Sequence, residues 1–307
     1  MASANGRVPV GFSLPQVFPD GNFDLALIQR VAQKAEALGF DSLWTQEQIV
    51  GKSQSLEPLA LLSYLSAVTE TIRLGVSIIV VPHRNPIQLA KLLSTIDVLS
   101  EGRLIAGVGL GNGMNPAFGI STERRVRRFT EVLEVMQALW APGETNYAGE
   151  FYTLEGISQE PKPVQQPHVP LWFGSRVEAA LERAVKYGDG WMGAGSSAVE
   201  DFGQQVGQIG GMLERADRDP ATFTLSKRLY VAIDDDADRA ERRLQEWFGH
   251  NYGNAEMGSK VSVWGPAERV YEAIDGFIDA GAEHMLLNPV FDYEEHLDAL
   301  ARYVPSD

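Results

Sequence analysis

Short apolar runs alternate with amphipathic stretches from one end of this chain to the other, and that alternation restricts the available folds more than any single motif. The runs are VPVGFSL (8–14), DSLWTQ (41–46), IRLGVSIIVV (72–81), RLIAGVGL (103–110), VPLWFG (169–174), DGWMGA (189–194), TLSKRLYVAI (224–233) and HMLLNPV (284–290). Near-continuous apolar character over so few residues is the pattern of a strand covered on both faces. The segments between them read as helices. In 24–38, Leu25, Ile28, Ala32, Ala35 and Leu38 share one face and Gly39 supplies a stop. In 123–140, Phe129, Val132, Leu133, Met136 and Trp140 repeat at helical spacing, while Gly102 and Gly281 follow the helices of 86–100 and 266–280. Eight strands, each followed by a helix, predict an α/β fold of the (β/α)8 TIM-barrel type, one domain over 1–307. A doubly wound open sheet is the rival, but no linker divides the pattern into two halves.

Two stretches read as inserted loops. The first, 141–170, is rich in Pro, Gly and Gln and precedes the fifth strand. It is expected at the bottom of the barrel unless it folds back over the side. The second, 249–265, holds Gly249, Gly253, Gly258 and Gly265 and follows the seventh strand. That end is where barrel enzymes build their sites, so this stretch is the expected lid.

Lys and Arg number 26 against 41 Asp and Glu, a formal net charge of −15, and there is no cysteine. Disulfides, thiolate nucleophiles and Cys-based metal sites are excluded. The charge argues against nucleic acid and anionic membrane as partners. The five histidines include no pair at metal-ligand spacing, so no metal is expected. The opening MASANGRVPVG has no apolar signal core, and no apolar stretch approaches the roughly 20 residues that cross a bilayer. A soluble, cytoplasmic protein is the expectation.

GVGLGNG (107–113) fails as a dinucleotide motif, because Asn112 and Met114 stand where glycine is required. Two readings remain: a strand end that needs small residues, or a glycine-lined wall for a flat ring. In WFGSRVEAALERA (172–184), Ser175 followed by Glu178 forms a capping box. The same geometry, with Arg176 and free helix N–H groups, makes an anion site, and GAGSS (193–197) repeats it one strand later. The repetition favours a phosphate. Glu47, in TQEQ (45–48), ends the second strand and is placed for chemistry; the alternative is a surface carboxylate. RRVRR (124–128) reads as a solvated helix face with ion pairs.

The order and spacing of several segments resemble the bacterial luciferase-like monooxygenase superfamily. They are GFDSLWTQEQ (39–48), IRLGVSIIVVPHRNPIQLAK (72–91), LSEGRLIAGVGLGN (99–112), RRFTEVLEVMQALW (127–140), YAGEFY (147–152), PKPVQQPHVPLWFGS (161–175), DGWMGAG (189–195) and WGPAERVYEAIDGFIDAGAEHMLL (264–287). The resemblance covers nearly the whole chain and implies a (β/α)8 barrel that uses FMN or the deazaflavin coenzyme F420. It implies a non-prolyl cis peptide at Ser77-Ile78, with Val80 close by, against the cofactor ring. Leu110, Gly111 and Asn115 correspond to wall positions, and Gly174, Ser175, Arg176 and Val177 to the phosphate grip. Glu47 and Gln48 border the ring, with Glu47 the available acid or base. Many relatives carry histidine where this chain has Gln48, which cannot titrate.

The F420-dependent branch is the better match, implying an oxidoreductase that moves a hydride between the deazaflavin C5 and a small organic substrate. An FMN-dependent two-component monooxygenase is the alternative, and a non-catalytic flavin- or deazaflavin-binding protein the second. A homodimer, and a flavin or F420 reductase as partner, also follow from the resemblance. A polyanionic cofactor on a chain of charge −15 demands local positive potential near Arg176, His83-Arg84 and helix N-termini.

Overall fold

The computed structural model describes residues 8–111 and 116–304. In chain order its strands are β1 (Val10–Ser13), β2 (Ser42–Thr45), β3 (Arg73–Val80), β4 (Leu104–Gly109), β5 (Thr145–Ala148), β6 (Thr153–Ile157), β7 (Leu171–Gly174), β8 (Gly190–Gly193), β9 (Thr224–Ile233), β10 (Ser262–Gly265) and β11 (His284–Asn288). The helices are α1 (Leu25–Ala37), α2 (Pro58–Ser66), α3 (Pro86–Leu99), α4 (Arg125–Trp140), α5 (Glu178–Tyr187), α6 (Val199–Arg215), α7 (Ala237–Tyr252), α8 (Glu256–Val261), α9 (Ala267–Asp279) and α10 (Tyr293–Leu300). Eight strands pair in parallel in the order β1-β2-β3-β4-β7-β8-β9-β11, and β11 returns to β1. The sheet is closed: this is a (β/α)8 barrel, and the open-sheet rival falls.

Each barrel strand falls inside one of the apolar runs. Strand residues alternate between the helix layer and the lumen. Trp44, Ile105, Trp172, Met192 and Leu286 make the lumen's buried apolar cluster. Trp44 fits only because its neighbouring strands carry glycine. A Cβ on Gly11 would stand 2.4 Å from the indole nitrogen, and one on Gly75 2.5 Å from the ring. Lower in the lumen, buried His284 lies 3.1 Å from Ser42 Oγ, 2.8 Å from Ser226 Oγ and 3.4 Å from Asp41.

Neither inserted stretch is a plain loop. Within 141–170, β5 and β6 form an antiparallel hairpin apart from the barrel. The buried Glu131 of α4 accepts the N–H groups of Glu150, Phe151 and Tyr152, and Arg124 pairs with Glu150. The hairpin therefore folds back along the flank of α4, and the RRVRR arginines meet it. The rest turns in under the barrel, where Gln165 donates to Asp97 and to the Leu104 carbonyl. Within 249–265, α7 runs on to Tyr252, Gly253 ends it at φ 70°, and β10 pairs with the upper half of β9. A Cβ on Gly258 would lie 2.9 Å from the Leu244 carbonyl, so that glycine permits α8 to touch α7. These glycines mark a helix stop and a close contact; the segment is helix and strand and not an irregular loop.

Candidate active site

The peptide Ser77-Ile78 is cis, and the β3–β4 register slips between Val76 and Ile79. The slip turns the Ile78 side chain onto three glycines. A Cβ on Gly107, Gly109 or Gly174 would approach Ile78 atoms to 3.3, 2.5 and 3.0 Å. Of the two readings of GVGLGNG, the demand for small residues accounts for Gly107 and Gly109: Gly107 makes room for the Val76 carbonyl and Gly109 for Ile78. Gly111 has φ 68° and lies against Val80, where a Cβ would meet Val80 Cγ1 at 2.8 Å. Ser77 Oγ donates to Met192 Sδ at 3.2 Å, and Leu110 packs half-buried on the core. Asn115 lies outside the described residues.

Glu47 follows β2 with its side chain 2% exposed. Its carboxylate accepts the Val80 N–H at 3.0 Å and Arg84 Nε and Nη2 at 3.1 and 2.5 Å. Arg84 also reaches Glu57 at 3.0 Å. Burial alone would lower the Arg84 pKa, but Glu47 and Glu57 together hold it above its ordinary value. With both oxygens occupied, Glu47 is built as a clamp between the end of β3 and the β2–α2 loop. Gln48 Nε2 donates to the Asn251 carbonyl at 3.2 Å, and Ser53 Oγ to Asn251 Oδ1 at 2.5 Å. That pair ties the loop to the end of α7. His83 stacks on Phe118 at 4.0 Å, and burial lowers its pKa. The positive charge expected at His83-Arg84 is therefore spent on internal carboxylates.

The positive potential lies instead at the tops of β7, β8 and β9. The Ser175–Glu178 capping box does not form: Val177 is the N-cap of α5, without a side-chain cap, and Ser175 Oγ is buried with no partner among the described residues. Gly174 precedes it at the end of β7, Arg176 is exposed, and Val177 is 66% exposed. Arg176 donates to Ser196 Oγ, bridging the two glycine-serine turns. Trp191 Nε1 and Gln205 Nε2 donate to the carbonyls of Ser175 and Arg176, both at 2.9 Å. Satisfied elsewhere, those carbonyls do not oppose an anion at the head of α5.

Behind the second turn lies Lys227, fully buried, whose Nζ donates to Ala194 O at 2.5 Å, Ser197 Oγ at 2.8 Å and Ser197 O at 3.1 Å. Burial, with Arg176 and Arg228 nearby, pushes its pKa down to about 7. On the lumen side, Arg228 Nε donates to Asn288 Oδ1 at 3.0 Å and Nη2 to the Tyr230 hydroxyl. Gln46, Tyr230 and Tyr252 close a polar ring with them. Lys227 and Arg228 were absent from the sequence-derived site, although a Lys-Arg pair inside TLSKRLYVAI was the available signal. Alternation sends one cation to the helix layer and the other into the lumen.

Among proteins of known sequence, the chain is 37% identical to an uncharacterised protein of Mycobacterium tuberculosis over 142 residues, 45% of this chain; the match spans about half (50%) of that relative's length. It is 25% identical over 280 residues to an F420-dependent glucose-6-phosphate dehydrogenase of Microbacterium testaceum, covering 88% of this chain and 81% of that one. It is 28% identical over 211 residues to an FMNH2-dependent dimethylsulfone monooxygenase of Pseudomonas putida, covering 66% and 58%. Among solved structures, an F420-dependent secondary alcohol dehydrogenase in complex with an F420-acetone adduct superposes with TM-score 0.83 at 22% identity, covering 98% of this chain and 100% of that one. The family model of luciferase-like monooxygenases matches residues 8–304, and the chain belongs to that family.

Proposed function

We propose that the protein is an F420-dependent oxidoreductase acting on a small organic substrate. The observation that carries the reading is the buried Ser175 hydroxyl, without a partner among the described residues, beside Arg176 at the head of α5 and backed by Lys227. A hydroxyl without a partner costs about 1–3 kcal/mol, which a bound phosphate oxygen would recover. Gly174, Ser175, Arg176 and Val177 would hold the phosphate, with Ser77, Ile78, Val80, Leu110, Gly111 and Asn115 beside the ring. A relative matched over most of both chains is F420-dependent, which supports the choice of cofactor. When bound, the deazaflavin supplies the two-electron chemistry. The chain's own part is to grip the tail and fix the ring's backing: Glu47 holds the Val80 N–H in place, and the Tyr252 roof limits water at the barrel mouth.

FMN is the second reading, favoured by the FMNH2-dependent relative. In that case a separate reductase would supply reduced flavin. A homodimer belongs to the proposal under either reading. Fluorescence titration with F420 and FMN side by side is the test. Saturable quenching by F420, at lower concentration than FMN requires, is the expected result. Tight FMN binding with no response to F420 overturns the cofactor assignment in favour of the second reading.

A further inference from the structure

Arg228 stands on the lumen face of β9 at the barrel mouth, and its partners differ in kind from those of Arg73 and Arg84. Arg73 faces Asp41, and Arg84 faces Glu47 and Glu57. Among the described residues, no carboxylate comes within 4.0 Å of Arg228. Its partners are neutral: Asn288 Oδ1 takes Nε, the Tyr230 hydroxyl takes one Nη2 hydrogen, and the Tyr230 ring centroid is 4.5 Å from the guanidinium carbon. Those partners are themselves held. Gln46 Nε2 donates to the same Asn288 oxygen at 2.7 Å, and the Tyr230 and Tyr252 hydroxyls are 3.0 Å apart.

The guanidinium is therefore fixed in plane with part of its fork in use. The Nη1 hydrogens and the second Nη2 hydrogen find no acceptor among the described residues. They form the outer edge of the fork, whose spacing matches two oxygens of one carboxylate or phosphate. Half-buried, without a counter-charge and beside Lys227, Arg228 is an arrangement that an incoming anion completes.

We infer that Arg228 anchors an anionic group of the substrate, so that the substrate class is small molecules bearing a carboxylate or a phosphate ester. The inference rests on the proposed cofactor site, because the turn at 174–177 is there assigned to the cofactor's own phosphate. The head of Arg228 reaches instead toward β11 and the end of β2, through Asn288 and Gln46. Tyr230, kept protonated by burial, and Asn288 act as positioning residues that aim the fork.

Calorimetric titration of succinate and of inorganic phosphate tests this, on wild type, Arg228→Gln, Arg228→Lys and Arg176→Gln, each with and without saturating cofactor. Succinate should bind wild type and lose about tenfold or more in affinity in Arg228→Gln, with Arg228→Lys in between. Arg176→Gln should leave succinate binding unchanged, and Arg228→Gln should hold F420 or FMN within about twofold of wild type. Equal succinate affinity in wild type and Arg228→Gln overturns the inference, and so does the absence of any anion binding to wild type. A tenfold loss of cofactor affinity in Arg228→Gln would assign Arg228 to the cofactor tail and overturn it equally. If neither cofactor binds, the proposed function fails by itself and the succinate titration of the cofactor-free protein still decides Arg228. If Arg228→Gln does not fold, Arg228→Lys carries the comparison, since it keeps the charge and loses the planar fork.

Discussion

Lys227 has an ordinary lysine pKa of 10.5 when unfolded and about 7 when buried behind the 194–197 turn. Below pH 7 it is charged in both states. Between about 7 and 10.5 the unfolded chain carries a proton that the folded chain lacks, so this residue makes stability rise with pH across that window. Its effect on an anion in front of the turn runs the other way, because the ammonium that attracts the anion is lost as pH rises through 7. The affinity for FMN or F420 should therefore weaken by about three- to tenfold between roughly pH 6 and pH 8.5 in wild type. Lys227→Met should bind more weakly at the lower pH and lose most of that dependence, measured by fluorescence titration. An identical pH profile in wild type and variant would show that Lys227 only holds the turn. The Lys-Arg pair inside an apolar run marks Lys227 in the sequence, but not its role, because its acceptors are carbonyls and a hydroxyl 30 and 33 positions away.

At the scale of elements, the end of β3 depends on glycines supplied by its neighbours. A Cβ on Gly109 would stand 2.5 Å from Ile78 Cδ1, an atom that valine lacks. Gly109→Ala should destabilise the protein by about 1–3 kcal/mol. Ile78→Val should remove much of that penalty, giving a coupling of about 0.5–2 kcal/mol in a double-mutant cycle read by urea denaturation. Strict additivity would mean that Ile78 does not fill the space above Gly109. Gly107→Ala has no such rescue, because its Cβ would stand 2.0 Å from the Val76 backbone oxygen. The strands that sequence reading located are those buried on both faces, where apolar character is continuous. β5, β6 and β10 escaped it: the first two carry mixed, partly exposed residues, and β10 is only half-buried beside β9.

Across the whole molecule, acid stability depends on two buried histidines, His284 within the barrel and His296, which joins α10 to the end of β9. His296 Nε2 accepts the Ile233 N–H at 2.9 Å, so its Nδ1 is the donor to the Asp292 carbonyl at 2.8 Å. Protonating Nε2 would leave that N–H facing a cation, and burial holds the His296 pKa below its ordinary 6.5. Burial lowers His284 likewise, against the pull of Asp41. A histidine with a lowered folded pKa contributes stability that is present above 6.5 and is lost as pH falls toward the folded value. Denaturation midpoints should drop from pH 7.5 to about pH 5, with His296 accounting for part of the loss. His296→Gln should flatten part of that slope, and an unchanged slope would remove His296 from the acid limb.

The sequence by itself determined the number and order of the barrel strands, the helices between them, and the glycine-serine turn after β7. Each of these is written in neighbouring residues: continuous apolar runs, helical periodicity, and glycine-serine at a strand end. Tertiary structure decided what each polar side chain faces. Glu47 became a clamp because Arg84 and the Val80 N–H reach it from β3 and beyond, and Ser175 has no partner among the described residues because the helix starts at Val177. The cationic cluster in an acidic chain arises because barrel closure brings Arg176, Lys227 and Arg228 together. Local pattern follows from burial and backbone geometry along the chain. Charge pairing depends on distances across the chain, which only the closed barrel sets.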